Sequence, residues 1–405
     1  MKDYYSISEV AELLGKSKET LRRWDRSGKL VAVREPISNY RMYKKEQLKM
    51  FPELTSLFDA DGKGNFVKPK KAYKVLELFA GAGGLALGLE KAGLKCEALN
   101  EIDHWAAETL RNNRPNWNVL EGDVKDISFK KYKGKVDVVT GGFPCQAFSY
   151  AGKSLGFKDA RGTLFYEFAR AVSEVQPKIC IGENVKGLVN HDGGRTLAGM
   201  KSVLDELGYR VMEHQVLKAI HYNVPQKRER LILVGIRKDI DIDFEYPRPY
   251  GKIYNLKDAL KKGDLFSKKV PKSAGAKYPD HKKAVLDLVP PGGYWRDLPI
   301  DIQKEYMQKS FYLGGGKTGM ARRISWNEPS LTLTCSPAQK QTERCHPDET
   351  RPFTVREYAR IQTFPDDWIF AGSVTQQYKQ IGNAVPVNLG KEVGYAIVKF
   401  LNEMK

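Results

Sequence analysis

From Tyr73 to about residue 245 the chain alternates short β-branched runs with amphipathic stretches of helical period, and few folds accept that pattern. Strands are predicted over 74–79, 96–100, 118–121, 136–140, 178–182 and 231–236. Alternation of this kind predicts an α/β fold built on a doubly wound, mostly parallel sheet. In such sheets ligands bind outside the carboxyl ends of the strands, so the residues after each strand carry the functional information.

The first strand runs into Phe79-Ala80-Gly81-Ala82-Gly83-Gly84-Leu85, where glycines let backbone approach a ligand at a helix N-terminus. A glycine turn also serves tight strand–helix packing, and alone it does not choose between the two. Glu101 follows the second strand, 20 residues beyond Gly81, where a carboxylate can hold a ribose hydroxyl pair. Asp123 follows the third and could accept from an adenine amine; taken alone, each acid is more often a helix cap or turn former. The fourth strand leads into Gly142-Phe143-Pro144-Cys145-Gln146. Cys96 and Cys180 fall inside predicted strands and read as inert small hydrophobes, whereas Cys145 follows a strand end and a proline of fixed φ, a place for a nucleophile. Glu183-Asn184-Val185 ends the fifth strand near the same edge. Arg228 and Arg230, spaced i and i+2, are expected on one strand face, pointing into the site or forming surface ion pairs.

Residues 1–52 read as a separate helical unit. Ser6-Ile7-Ser8-Glu9 has capping-box spacing, Gly15 stops the first helix, and Ser17 caps a second that carries Arg22, Arg23 and Arg26 outside. Residues 31–33 and 40–43 are expected to form a hairpin wing. This segment resembles the winged helix-turn-helix DNA-binding domain of MerR-type regulators; a helical packing cap is the alternative. Residues 53–72 read as a linker and 246–345 as an irregular Lys-, Pro- and Gly-rich segment, before periodicity returns in 354–362 and a final helix.

The net charge of +18 is unevenly spread. Residues 1–72 carry 16 Lys/Arg against 10 Asp/Glu, and 246–345 carry 19 against 9, leaving 32 against 30 in the other 233. Two basic segments flanking a nearly neutral body suit a polyanion such as nucleic acid, or a well-solvated surface. Five scattered cysteines without a CxxC pair argue against a secreted disulfide framework and for the cytoplasm. No apolar run of about 18 residues exists to span a membrane. Cys345-His346 lacks further ligands nearby, so no metal is expected.

Taken in order, the glycine turn from Glu77, Gly142-Phe143-Pro144-Cys145-Gln146, Glu183-Asn184-Val185, Gln226-x-Arg228-x-Arg230, Arg351-Pro352-Phe353-Thr354 and Gln380-Ile381-Gly382-Asn383-Ala384-Val385-Pro386 resemble the motifs of C5-cytosine DNA methyltransferases of the bacterial restriction–modification type. The resemblance implies the S-adenosylmethionine-dependent methyltransferase fold with a small irregular target-recognition domain. Its implied boundaries are a MerR-like domain over 1–52, a linker over 53–72, a catalytic domain over 73–245, target recognition and hinge over 246–368, and a C-terminal return over 369–405. By the same carry-over Cys145 adds to cytosine C6, Glu183 acts at N3, Arg228 hydrogen-bonds O2 with Arg230 beside it, and Arg356 braces the small domain and backs up the carboxylate. Phe79, Ala80, Gly81, Gly83, Gly84, Leu85, Glu101, Ile102, Asp123, Val124, Pro144, Asn383 and Val385 would line the pocket for S-adenosylmethionine, released as S-adenosylhomocysteine. The base must rotate out of the duplex, and the loop 146–161 suits closure, with Gln146, Ser149, Lys153 and Arg161 toward DNA. The expected partner is duplex DNA, with the N-terminal unit on the chain's own promoter or assisting methylation. A monomer in the cytoplasm, associated with the nucleoid and not with membrane, is expected. An RNA methyltransferase, a degenerate binding protein, an amino-methyltransferase and a dehydrogenase explain fewer of these residues.

Overall fold

The computed structural model describes residues 3–36, 38–58, 64–144, 163–313 and 317–404. They form two compact units, one of residues 1–65 with 248–252 and the other of 66–247 with 253–405.

In the smaller unit β1 (Tyr4–Ser6) leads directly into α1 (Ile7–Leu14). The expected capping box is present: Ser6 Oγ accepts from Glu9 N at 3.3 Å and Glu9 Oε2 accepts from Ser6 N at 2.8 Å. Gly15 closes the helix in the left-handed region. Ser17 caps α2 (Lys18–Arg26), which buries Leu21 and stacks Trp24 on Phe51. The wing forms from β2 (Val33–Arg34) and β3 (Arg41–Lys44), with β1 completing an antiparallel sheet in the order β1-β3-β2. After α3 (Lys45–Leu48), part of the expected linker is instead a helix, α4 (Pro52–Phe58). Leu54, Leu57 and Phe58 are buried, and Phe58 meets the Tyr5 ring, so apolar spacing after a helix-starting proline overrides the linker reading here. The linker's other end is also tied down: Lys70 N and Nζ donate to Asn402.

The larger unit contains β4 (Lys74–Leu78), α5 (Gly84–Lys91), β5 (Lys95–Glu101), α6 (His104–Asn113), β6 (Val119–Glu121), β7 (Val138–Gly141), α7 (Leu164–Val175), β8 (Ile179–Val185) and α8 (Arg195–Glu206). It continues with β9 (Tyr209–Val211), β10 (Gln215–Lys218), β11 (Gln226–Lys227), β12 (Glu229–Arg237), α9 (Leu256–Leu260), α10 (Asp280–Asp287), α11 (Ile300–Met307), β13 (Ser330–Leu331), α12 (Val355–Ile361), α13 (Val374–Asn383) and α14 (Val387–Glu403). The main sheet has the order β10-β12-β8-β7-β4-β5-β6, with β9 also on β12. The five strands from β8 to β6 are parallel, while β12 pairs antiparallel with β8, β10 and β9.

Alternate strand residues enter different cores, as a sheet covered on both faces requires. Leu76, Leu78, Cys180, Leu231 and Leu233 pack with Phe165, Phe168, Val172 and Met200 of α7 and α8. Val75, Ile179, Ile181, Ile232, Val234 and Ile236 pack with Leu85, Leu389, Val393 and Ile397 of α5 and α14. Helices α5 and α14 approach so closely that a Cβ on Gly88 would lie 2.6 Å from the backbone of Gly390. This contact seats the C-terminal return on the helix that follows the glycine turn.

The basic segment lacks periodicity because side chains, not ladders, satisfy much of its backbone. Buried Arg323 donates to the carbonyls of Leu286, Val289, His346 and Pro347, and Arg344 to those of Thr332 and Glu343. Lys282 Nζ and Glu343 Oε1, 2.8 Å apart, form a buried ion pair within the same segment.

Candidate active site

Parallel register sets the site. Leu78 lies opposite both Gly141 and Asn100, Gly141 opposite Gly182, and Glu101 opposite Glu121. The strand-end residues Phe79, Glu101, Gly142 and Glu183 are therefore collected along one edge of the sheet.

Glu183 is buried, 8 % exposed, and its Oε1 lies 2.7 Å from Arg230 Nε. The antiparallel register explains the meeting, since Ile232 faces Glu183 and Arg230 faces Val185. Gly142 leaves room for the carboxylate: a Cβ there would stand 3.1 Å from Glu183 Oε2. Asn184, which sequence reasoning gave no role, donates from Nδ2 to the Phe143 carbonyl at 2.7 Å. Phe143 also packs on Phe165 and Phe168, so the chain entering Pro144 is fixed by a buried hydrogen bond and by rings. Cys145, Gln146, Ser149, Lys153 and Arg161 lie outside the described residues.

The expectation that Arg228 and Arg230 share a strand face is corrected. The strand breaks at Arg228, where its N–H donates to the Gln226 carbonyl and the chain passes from the β11–β13 pair into the main sheet. Arg228 is 1 % exposed, and its guanidinium donates to the carbonyls of Leu333, Gly382 and Asn383. Gln226, also missed as a functional position, accepts from Leu333 N at 3.0 Å and donates to Gln362 Oε1 at 2.9 Å. Gln362 in turn donates to the carbonyls of Ile381 and Ala384. Arg228 and Gln226 thus stitch together segments distant in sequence, and Arg230 is the arginine at the carboxylate. Arg356 does not back Glu183: its guanidinium donates to the Pro365 and Trp368 carbonyls.

At the end of β4, Phe79 has a φ of 56°, a conformation L residues rarely adopt, and Gly81 and Gly83 are also in the left-handed region. Gly83 precedes the first turn of α5. Gly81 N donates to Glu101 Oε2 and Asp103 N to Glu101 Oε1, each at 2.7 Å. A Cβ on Gly81 would meet nothing within 4 Å, so an open backbone cradle stands beside a doubly anchored carboxylate. Burial raises the Glu101 pKa above its ordinary value, against the hydrogen bonds that favour the carboxylate. Ile102, 65 % exposed, stands beside it as an apolar face suited to an aromatic base. Asp123 caps the short helical turn at Val124 through Lys125 N. These features fit an adenosyl ligand with ribose hydroxyls. The side chains of Ala80, Leu85 and Val124 pack into apolar clusters, leaving only their backbone to serve the site. Gly84 lies against the Val385 carbonyl, which a Cβ would approach to 2.2 Å. Asn383 Oδ1 accepts from Cys335 Sγ at 2.9 Å.

A buried acid beneath the site also escaped sequence reasoning. Glu77, 2 % exposed on β4, is pushed up to about 8 by burial, with the charges of Glu183 and Glu101 adding to the effect. Cys180 behaves as expected of a core thiol: burial pushes it up to about 12. In the smaller unit, Glu19 pairs with Arg22 at 3.2 Å and with Arg26 at 2.9 Å on the exposed side of α2, where Arg23 is also exposed. Among the described residues no cluster of His, Cys, Asp and Glu could hold a metal ion. Among them, too, no helix is long and apolar enough to cross a membrane.

Residues 73–399 match the family model for C-5 cytosine-specific DNA methylase, and residues 6–43 match that for MerR family regulatory protein. The Type II methyltransferase M.Eco47II of Escherichia coli is 64 % identical over 406 residues, covering 100 % of this chain and 97 % of the relative. M.PspPI of a Psychrobacter species is 57 % identical, covering 99 % and 97 %. M.HhaI of Haemophilus parahaemolyticus is 35 % identical, covering 81 % and 95 %. Among solved structures, one described as a prophage-encoded DNA modification methyltransferase of Escherichia coli superposes with a TM-score of 0.59 at 23 % identity, covering 82 % of this chain and 100 % of that one, a likeness of fold. With a methylase model spanning most of its length and full-length relatives of high identity, the chain belongs to the C5 cytosine-specific DNA methylase family and is a DNA (cytosine-5) methyltransferase.

Proposed function

We propose that the enzyme methylates a cytosine rotated out of one specific duplex sequence, protecting host DNA as the modification half of a restriction–modification pair. The observation that carries this reading is the buried Glu183–Arg230 pair, 2.7 Å apart, beside Gly142 and Phe143, the residues that lead in sequence to Pro144 and Cys145. Cytosine C5 is a weak nucleophile until the ring gains electron density. The Cys145 thiolate forms a bond to C6, and the π pair of C5=C6 is displaced toward C5 and the N3–O2 edge. A proton shared between the Glu183 carboxylate and N3 offsets the charge on that edge of the ring, while Arg230 offers N–H donors to O2, where negative charge builds. Arg230 takes the role expected of Arg228, because it is Arg230 whose Nε lies 2.7 Å from the Glu183 carboxylate, while both terminal nitrogens of Arg228 donate to backbone carbonyls. S-adenosylmethionine, when bound, supplies the electrophilic methyl group that C5 takes. A water molecule takes the C5 proton, the C5–H electron pair re-forms the C5–C6 double bond as Cys145 leaves as thiolate, and the proton at N3 returns to Glu183, which restores the enzyme.

Rotating the base out costs a few kcal/mol of pairing and stacking, so binding energy elsewhere must offset it. The net +10 of residues 246–345 supports their assignment to target recognition, and Lys153 and Arg161 are suited to meet phosphates as the 146–161 loop closes. Phe79, Gly81, Gly83, Glu101, Ile102, Asp123, Pro144 and Asn383 are the residues to hold the cofactor, with Glu101 on the ribose and Asp123 on the adenine amine. The MerR-like unit, with three exposed arginines on α2, binds DNA separately, at the enzyme's own promoter or beside its target. We expect a monomer at work in the cytoplasm, in contact with the nucleoid. Bisulfite sequencing of DNA from a host expressing the chain tests the reading. Protection of cytosines in one short sequence supports it, and uniform conversion contradicts it.

A further inference from the structure

We infer that Lys379 and Asp103 form a positioning pair that fixes the rim of the cofactor site; the inference rests on the cofactor assignment above. Asp103 Oδ1 caps α6 by accepting from the Trp105 and Ala106 N–H groups, and Oδ2 accepts from Lys379 Nζ at 2.7 Å. The Asp103 N–H donates to Glu101 Oε1, so whatever holds Asp103 also aims the carboxylate assigned to the ribose. Lys379 lies on α13 four residues before Asn383, on the same helical face, and Asn383 is among the residues assigned above to the cofactor. One ammonium therefore ties together the two elements that carry Glu101 and Asn383.

The fold does not need this ion pair to hold α6 against α13. Buried Thr109 already donates to Gln380 Oε1 at 2.6 Å and accepts from Ala371 N at 2.8 Å. Asn113 exchanges two hydrogen bonds with Ile369, and a Cβ on Gly372 would stand 2.9 Å from the Trp105 ring. Those contacts set the packing, while Lys379 and Asp103, with side chains 51 % and 22 % exposed, stand at the solvent edge beside Glu101. A partly exposed pair in this position adds little to global stability but sharpens the orientation of the group it touches.

The test uses the full chain and S-adenosylhomocysteine as the probe, its binding followed by calorimetry without DNA. Lys379→Met is expected to weaken binding about five-fold, the upper range for one exposed pair, and to raise KM for S-adenosylmethionine with kcat little changed. Asp103→Asn retains the helix cap, because asparagine caps as well as aspartate, and should weaken binding comparably. The double variant should lose no more than either single one, and Lys379→Arg should restore affinity. Thermal unfolding of all variants should stay close to the parent. Unchanged affinity in Lys379→Met, or additive losses in the double variant, would overturn the pair's positioning role. Absence of any S-adenosylhomocysteine binding by the parent chain would instead strike at the cofactor assignment.

Discussion

Glu77 offers a test of how the site tolerates three acids in a small buried volume. It sits on β4 with Glu101 and Glu183 as charged neighbours, and burial pushes its pKa from an ordinary 4.5 to about 8. Below pH 4.5 the folded and unfolded chains both hold the proton, and the group contributes no difference. As the pH rises from 4.5 toward 8 the unfolded chain releases that proton while the folded chain keeps it, so folding stability falls, reaching the full penalty above 8. At about 1.4 kcal/mol per pH unit, the loss attributable to this one group between pH 5 and pH 8.5 has an upper bound of roughly 4 kcal/mol. Glu77→Gln keeps the shape and an acceptor for the Ala86 N–H but cannot ionise. Denaturant unfolding of parent and variant across pH 5 to 8.5 isolates the contribution, because other titrating groups cancel in the difference. The variant should gain on the parent steadily with pH, and by pH 8.5 it should be the more stable protein. A difference that stays flat over that range would show that Glu77 ionises in the folded chain as readily as in the unfolded one, and the upward push by burial would be refuted.

Other perturbations address the remaining parts of the site. Arg230→Lys keeps the charge but loses the Nε donor at Glu183, and single-turnover methylation should slow by about 10²-fold while DNA affinity holds, given the usual weight of one such donor. An equal effect from Arg228→Lys, with no loss of stability, would undo the assignment of separate tasks to the two arginines. Gln226→Leu leaves Leu333 N–H and the Gln362 amide without their buried partner and should destabilise the larger unit by about 1–3 kcal/mol in denaturant unfolding; an unchanged midpoint would dismiss the stitch. Replacing Arg22, Arg23 and Arg26 by alanine should reduce the steepness with which DNA affinity falls as salt rises, as expected from fewer phosphate contacts. Identical salt slopes would leave α2 without a DNA role.

Much of the catalytic framework was legible because its chemistry sits at strand ends and the strands are apolar runs bounded by turns. All six predicted strands exist, with ends moved by at most three residues. The capping box at Ser6 and the stop at Gly15 were legible for the same reason: each is a local rule acting within one helical turn. What failed depended on distant partners. An i, i+2 spacing puts Arg228 and Arg230 together only if the strand is continuous, and carbonyls of Leu333, Gly382 and Asn383 draw Arg228 away. Helix α4 was readable in principle from Pro52 with Leu54, Leu57 and Phe58, but the glycines and lysines downstream masked it. No sequence rule could foresee the basic segment, whose backbone is satisfied by Arg323 and Arg344 side chains without periodicity.

The proposed chemistry turns on a bond between the sulfur of Cys145 and the target base. A duplex carrying 5-fluorocytosine at the methylated position, incubated with the full chain and S-adenosylmethionine, halts the reaction after methyl transfer, because fluorine cannot leave as the proton does. Mass spectrometry of the digested product should find the nucleotide attached to Cys145 and no adduct in Cys145→Ala. A complex that forms and transfers methyl groups with no bond at this sulfur would contradict the mechanism.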